Sequence, residues 1–169
     1  MRLAVSLLLL LSACGEETKR CEIHGTQLRF DPKVASGDTD AAKWLAFPFP
    51  ANHRVTSTGT VDFHDFPAPS IADMVTDYTE YAEAELRGFG VASPIFMAFS
   101  EALEASSLPA DSGAFTSPNA PIQLVDVTRT SPEYGKRRPL QFVYYDAQGV
   151  YVAPNTLSIG PVFGFPLRE

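Results

Sequence analysis

Few side chains in this sequence could perform acid–base chemistry. His64 lies beside Asp62 and Asp65, and these three residues are the nearest approach to an acid–base cluster in the sequence. Because neighbours along an extended chain point to opposite faces, we interpret this group as surface composition and not as a catalytic site. The three histidines, His24, His53 and His64, lack the paired spacing of metal ligands, and the sequence contains no Gly-x-Ser-x-Gly nucleophile elbow. The sequence therefore predicts no catalytic residue, no metal site and no cofactor.

The first 14 residues carry the most specific chemical signal. Arg2 supplies a positive start, and residues 3–11 form an apolar run much shorter than the roughly 20 residues of a membrane-spanning helix. Leu11-Ser-Ala-Cys14 resembles the lipobox of bacterial lipoproteins. That resemblance implies a signal peptide at 1–13, cleavage before Cys14, and acylation of its thiol. Membrane lipid is then the partner of Cys14, because two or three acyl chains anchor a protein stably. The alternative is an ordinary secretory signal with a chance cysteine near the cut.

The residues after Cys14 predict a tether and a location. Gly15, in place of Asp, indicates the outer membrane of the bacterial envelope by the enterobacterial sorting pattern. Cys21 is the only other cysteine, so a lipidated Cys14 leaves no internal disulfide. We interpret Cys21 as a solvated thiol; pairing with another chain is the alternative. Residues 14–43 are mostly polar, and we expect a spacer, in which residues 27–30 could form an isolated strand.

Length and charge narrow the class of protein. The 169 residues correspond to one domain with an extension. A net charge of −7 would repel phosphates, which argues against a nucleic-acid partner. Fourteen prolines and 11 glycines favour short strands and turns over a helix bundle.

Residues 44–90 combine an extended segment with a helix. Aromatic residues alternate with prolines in the first part, which favours extended chain with its rings packed on the core; a ligand groove is the sharper alternative. The rings are Trp44, Phe47, Phe49, Phe63 and Phe66. Helical spacing then predicts a helix over 70–87, with Ser70 as N-cap and Gly88 as a left-handed C-terminal residue. Its apolar face comprises Ile71, Met74, Val75, Tyr78, Ala82 and Leu86. Its acidic residues, which mostly form the outer face, are interpreted as a solvated surface and not as a cation site.

Residues 91–169 predict a β domain. Four runs are rich in β-branched and aromatic residues and largely alternate in polarity: 94–100, 121–127, 140–145, and 150–152 with 156–159. We expect a mainly β fold, an antiparallel Ig-like sandwich that follows the helix and the extended segment. Its core should lie near Phe96, Leu124, Phe142 and Leu157. The basic cluster 136–138 is expected at a hairpin tip in water, with contact to anionic lipid or polysaccharide as the alternative.

A succession of short motifs over residues 44–169 resembles the amino-terminal region of large bacterial envelope lipoproteins. The motifs include Phe47-Pro-Phe-Pro50, Gly88-Phe-Gly90, Gln123-Leu-Val-Asp-Val127, Ser131-Pro-Glu-Tyr-Gly135 and Pro166-Leu167. The group comprises virulence-factor lipases and proteins with an S-layer-type Ig-like domain. The resemblance implies that further strands follow Pro166-Leu167, so the sandwich is expected to be incomplete at its C-terminus, marginally stable or prone to self-association.

Two functions from different classes follow. The first is a non-catalytic, lipid-anchored envelope module with an Ig-like domain, in an adhesion, binding or structural role, with an unspecified protein or polysaccharide partner. The second is the amino-terminal part of a lipase or esterase that lacks its catalytic domain.

Overall fold

The computed structural model describes residues 24–31, 41–67 and 73–164. The predicted signal peptide, Cys14 and Cys21 lie outside these residues. Two helices, α1 (Ala41–Trp44) and α2 (Asp73–Glu85), precede three strands, β1 (Ile95–Ala98), β2 (Leu140–Tyr145) and β3 (Thr156–Pro161). Short 3-10 turns occupy Asn52–Arg54, Ala105–Ser107 and Ala114–Thr116. Within the described ranges, no helix combines the length and apolarity that crossing a bilayer requires.

The three strands form one antiparallel sheet in the order β1-β3-β2. Phe96 pairs with Ser158 on one side of β3, and Phe142 pairs with Ile159 on the other. All six residues of β3 are buried because this strand has neighbours on both sides. The predicted mainly β character is confirmed. The residues described here form no second sheet, so the sandwich architecture is not part of the observed fold.

Each face of the sheet carries its own apolar cluster. Ile95 and Met97 of β1 contribute to one cluster, which also contains the buried residues Phe115, Leu140, Leu157 and Ile159. The opposite face holds Phe96 and Ala98, which pack with Trp44, Leu45 and Ala153. Side chains alternate between the faces of a strand, so one short sheet serves both clusters. Of the expected core residues, Leu157 is fully buried, and Phe96, Leu124 and Phe142 are half-buried.

Strands 140–145 and 156–159 are confirmed, the latter extended to Pro161, whereas the prediction for 121–127 is wrong. That segment hydrogen-bonds through its backbone at Leu124 and Asp126 to residues 135–138, but it forms an isolated bridge there and no regular ladder. Its polar side chains bond to the local backbone: Gln123 donates to the carbonyls of Pro118 and Ala120, at 2.9 and 3.0 Å. Such local bonds compete with a regular ladder.

Residues 150–152 are also not a strand. The Gly149 N–H donates to the Val152 carbonyl at 2.8 Å, which closes a tight turn. A second turn follows, in which Asn155 has a φ of 58°. These local bends replace the predicted strand in the connection between β2 and β3.

The predicted helix exists, but its apolar face is not buried. α2 spans Asp73–Glu85, and no residue of the described helix is buried. Met74 is 62% exposed and Tyr78 is 66% exposed. The N-cap Ser70 and Ile71 lie outside the described residues. Gly88 has a positive φ of 77°, as expected. It does not directly follow the helix, however, because α2 ends at Glu85 and Arg87 already forms a β-bridge with Thr60.

Part of the expected tether is bound to the body. Arg29 N–H donates to the carbonyl of Ala98 at 2.8 Å, and Asp31 N–H donates to that of Ala46 at 2.7 Å. Leu28 bridges to Phe99, which matches the short strand suggested for 27–30. Residues 24–31 thus extend the edge of β1 and do not act as a free spacer.

Candidate functional site

The aromatic residues of 44–66 form a packed cluster around one buried ion pair. Trp44 lies 4.9 Å from Phe66 and 5.4 Å from Phe49, measured between ring centroids. The Arg54 guanidinium stacks 3.6 Å from the Trp44 ring centroid. It also donates to both carboxylate oxygens of Asp65, at 2.6 and 3.1 Å. The predicted packing role of these aromatic residues is therefore confirmed: Trp44 and Phe47 are buried, and the other three rings are partly buried.

A groove remains where this cluster meets α2. Phe63 and Phe66 form one wall, the helix forms the other, and the cavity measures about 350 Å³. Phe66 stacks on Tyr151 at 5.7 Å between centroids. The helix contributes Val75, Tyr78, Thr79 and Ala82 to the lining. These residues of the predicted apolar face point towards the aromatic cluster, but none of them is buried against it. The apolar surface of the groove therefore remains accessible to solvent.

Three side chains that could ligate a metal converge next to Phe63, which lines this groove. Asp62 and His64 come from the turn that carries Phe63, and Glu83 comes from α2. One potential ligand atom from each residue lies within 4.8 Å of the other two. The Asp62 Oδ1 contacts His64 Nδ1, and it accepts the His64 backbone N–H at 3.1 Å. Glu83 Oε1 accepts the Phe63 N–H at 2.8 Å.

The charge state of Asp62 follows from these contacts. Burial raises the pKa of Asp62, but hydrogen bonds from the His64 side chain and backbone lower it more, together with the charges of His64 and Arg54. The net pKa lies below the ordinary value of 3.8. Asp62 is therefore a carboxylate at neutral pH.

The expected titratable group divides into two parts. Asp65 points away from His64 and pairs with Arg54, in keeping with the opposed directions of chain neighbours. Glu83, which the sequence assigned with the other acidic residues to the outer face, instead faces the turn at 62–64. A signal for this existed, since Glu83 lies eight residues after Val75 and so falls on the same helical stripe.

The basic cluster 136–138 is not a free patch. Arg138 pairs with Glu133, and Arg137 Nε donates to Gln123 Oε1 at 2.5 Å. Both arginines are half-buried, and Lys136 is exposed. The expectation of a hairpin tip in water therefore holds for Lys136 alone.

A larger cavity of about 840 Å³ lies on another side of the aromatic segment. It is lined by residues of 50–55 and 87–95. Arg87 is the only titratable residue among the described lining, and its guanidinium donates to the Thr58 carbonyl at 3.3 Å. This cavity therefore offers no acid–base pair from the lining residues.

Comparison with protein-family models, with curated proteins and with solved structures finds no match for this chain.

Proposed function

We propose that this chain is a non-catalytic, lipid-anchored module of the bacterial envelope that binds a partner protein through the groove beside α2. Acyl chains on Cys14 hold it to the membrane, which we place at the outer membrane. An Ig-like assignment of the β region belongs to this proposal. The antiparallel pairing of the three strands supports that assignment.

The groove is the observation that carries the binding role. Six of its seven lining residues are apolar or aromatic, and Thr79 is the seventh. Tyr81 on the same helix is 68% exposed. Tyrosine is enriched at protein interfaces because it combines a large apolar body with a polar tip. An unfilled apolar groove bordered by exposed tyrosines is typical of an interaction surface.

Charge defines the partner. α2 contains five acidic residues and no lysine or arginine. A segment seated in the groove lies against this negative helix, so basic residues beside its apolar anchor would be attracted and acidic ones repelled. The occupant that fits is an apolar side chain of a partner protein, flanked by lysine or arginine.

Two labelled peptides test the binding role. One has an apolar centre of leucine and phenylalanine flanked by lysines, and the other replaces the lysines with glutamates. We expect the full-length chain to bind the lysine peptide in fluorescence anisotropy, more weakly at high salt, and to ignore the glutamate peptide. Ala82→Arg should block the groove and abolish binding. Ala84→Arg, at an exposed position of the same helix, is the matched control. Equal binding of both peptides, or equal loss in both variants, would contradict the proposal.

The anchor is tested separately. Expressed in a bacterium with the lipoprotein pathway, the wild-type protein should partition into the detergent phase, and Cys14→Ser should move it to the aqueous phase. Cys21→Ser is the control, because it removes the other thiol and leaves the acylation site intact. A wild-type protein that stays wholly aqueous would rule out lipidation.

The proposed absence of catalysis is tested by an esterase assay. We expect no turnover of short-chain acyl esters by the purified protein. Activity that persists through purification and disappears on substitution of one serine would refute this part and leave the anchor and the groove untouched.

A further inference from the structure

The cluster of Asp62, His64 and Glu83 is not used by the proposed binding role. Its three side chains come from two separate segments of the chain, a turn and a helix, that are 19 or more residues apart in sequence. Glu83 accepts the Phe63 N–H and so faces the turn that carries the other two residues, and Asp62 and Glu83 are half-buried. We propose that these residues form a binding site for a divalent transition-metal ion, with zinc as the preferred ion.

The carboxylates are held in orientation by the backbone. Glu83 Oε1 accepts the Phe63 N–H, which leaves Oε2 available to a metal. Asp62 Oδ1 accepts the His64 N–H, which leaves its second oxygen available. Hydrogen bonds of this kind are typical of metal-ligating carboxylates, because they fix the direction of the ligand.

Charge balance favours a cation at this position. Two carboxylates lie within 4.8 Å of each other in a half-buried location, where their repulsion is screened less than in bulk water. A divalent ion bound between them would compensate the charge of both carboxylates.

The donor set indicates which ion fits. One imidazole nitrogen and two carboxylate oxygens are ligands that zinc accepts, whereas calcium requires six or more oxygens. Zinc bonds of about 2.0–2.2 Å place ligand atoms about 3.3 Å apart in a tetrahedral site. Ligand atoms up to 4.8 Å apart must therefore move closer together, and the His64 side chain, which is 40% exposed and contacts Asp62, has room to rotate. Water completes the coordination.

Metal binding would change the attachment of α2. The described helix has no buried residue, so little apolar burial holds it to the body. A bound ion would link Glu83 of the helix to the turn that carries Phe63, which lines the groove. The site therefore stabilises the position of α2 whether or not the groove binds a partner.

Zinc titration of the full-length chain tests this site. Cys14→Ser and Cys21→Ser provide the background, so that no thiol competes for the metal, and detergent keeps the chain dispersed. Isothermal titration with ZnCl₂ should give one ion per chain. Glu83→Gln and Asp62→Asn keep the acceptor oxygens for Phe63 and His64, so both variants should fold. Each should weaken zinc binding by more than the roughly 10–100-fold that loss of an outer-shell partner causes.

Matched substitutions distinguish this site from adventitious binding. Glu80→Gln removes an exposed carboxylate one turn away on α2, and His24→Asn removes an exposed imidazole elsewhere. Neither should alter the affinity. Zinc should also slow amide hydrogen exchange in Asp73–Glu85 of the unsubstituted background and not in Glu83→Gln. Zinc affinity unchanged in Glu83→Gln and Asp62→Asn, equal losses in Glu80→Gln and Glu83→Gln, or unchanged exchange in α2 would each overturn the proposal.

Discussion

Substitution of Asp65 by asparagine should destabilise this protein more than any other single carboxylate-to-amide change in the described residues. The Arg54 and Asp65 side chains are each 4% exposed, so solvent screens their interaction little. Asparagine keeps the size of aspartate but leaves the Arg54 charge without its counter-ion. A guanidinium stays charged in proteins, so the uncompensated charge persists.

The expected loss is about 3 kcal/mol, the lower end of the roughly 3–5 kcal/mol measured when one partner of a buried ion pair is removed. We choose the lower end because Arg54 keeps its stacking on Trp44 and an acceptor in the Trp44 carbonyl, at 3.4 Å. Domains are stable by only about 5–15 kcal/mol, so this change would take a large fraction of the total.

Urea unfolding followed by Trp44 fluorescence measures this loss of stability beside the ion pair, because Trp44 is the only tryptophan and Arg54 stacks on its ring. With a urea m-value of about 2 kcal/mol/M, the midpoint should fall by about 1.5 M. Asp146→Asn, at an exposed turn, is the control and should stay within about 0.5 kcal/mol of wild type.

A double variant separates the pair from the packing. Arg54→Met combined with Asp65→Leu replaces the ion pair by apolar side chains, and such replacements are often neutral or stabilising. We expect the double variant to be more stable than either single substitution. A loss below about 1 kcal/mol in Asp65→Asn, or a double variant as unstable as the sum of its parts, would refute this reasoning.

Three further outcomes are expected from the same unfolding assay. Leu157→Ala should cost about 2–5 kcal/mol because its side chain is fully buried, and Val143→Ala, at a 55% exposed position, should cost far less; similar losses would contradict the assigned core. Gly135→Ala should cost about 1–2 kcal/mol of stability, because Gly135 has a φ of 76°, which strains a residue with a Cβ. No atom lies within 4 Å of the added carbon, so backbone strain is the only penalty. A neutral result would contradict that conformation. Hydrogen bonds from Ser131 and Thr128 lower the pKa of Asp126, so the stabilisation they give is present above the ordinary value of 3.8 and is lost as pH falls through the folded-state pKa. Ser131→Ala should therefore be destabilising at pH 7 and close to wild type in strong acid. A difference in stability that does not change with pH would contradict this.

Elements with strong local patterns were predictable from the sequence. Residues 140–145 alternate in polarity without an internal turn former, and they form β2 over the predicted bounds. The helical spacing around Val75 and Ala82 identified α2 to within a few residues. These patterns depend on side-chain periodicity, which is readable without knowledge of the partners.

The segment 121–127 shows where local pattern was insufficient. It has the composition of a strand, yet Gln123 and Asp126 bond to nearby turns, and the backbone hydrogen bonds to residues 135–138 do not continue into a regular ladder. Whether a strand forms depends on the availability of a partner strand in register, which is a property of the whole fold.

The candidate sites depended on tertiary structure for the same reason. The sequence placed Asp65 next to His64, but the fold turned it inward to Arg54, 11 residues away. It also brought Glu83, distant in sequence, against the turn that carries His64. Helix periodicity determines which residues share a face, but the orientation of that face relative to the body is decided by packing between segments. Only that packing gathered three ligand atoms within 4.8 Å and left an apolar groove beside them.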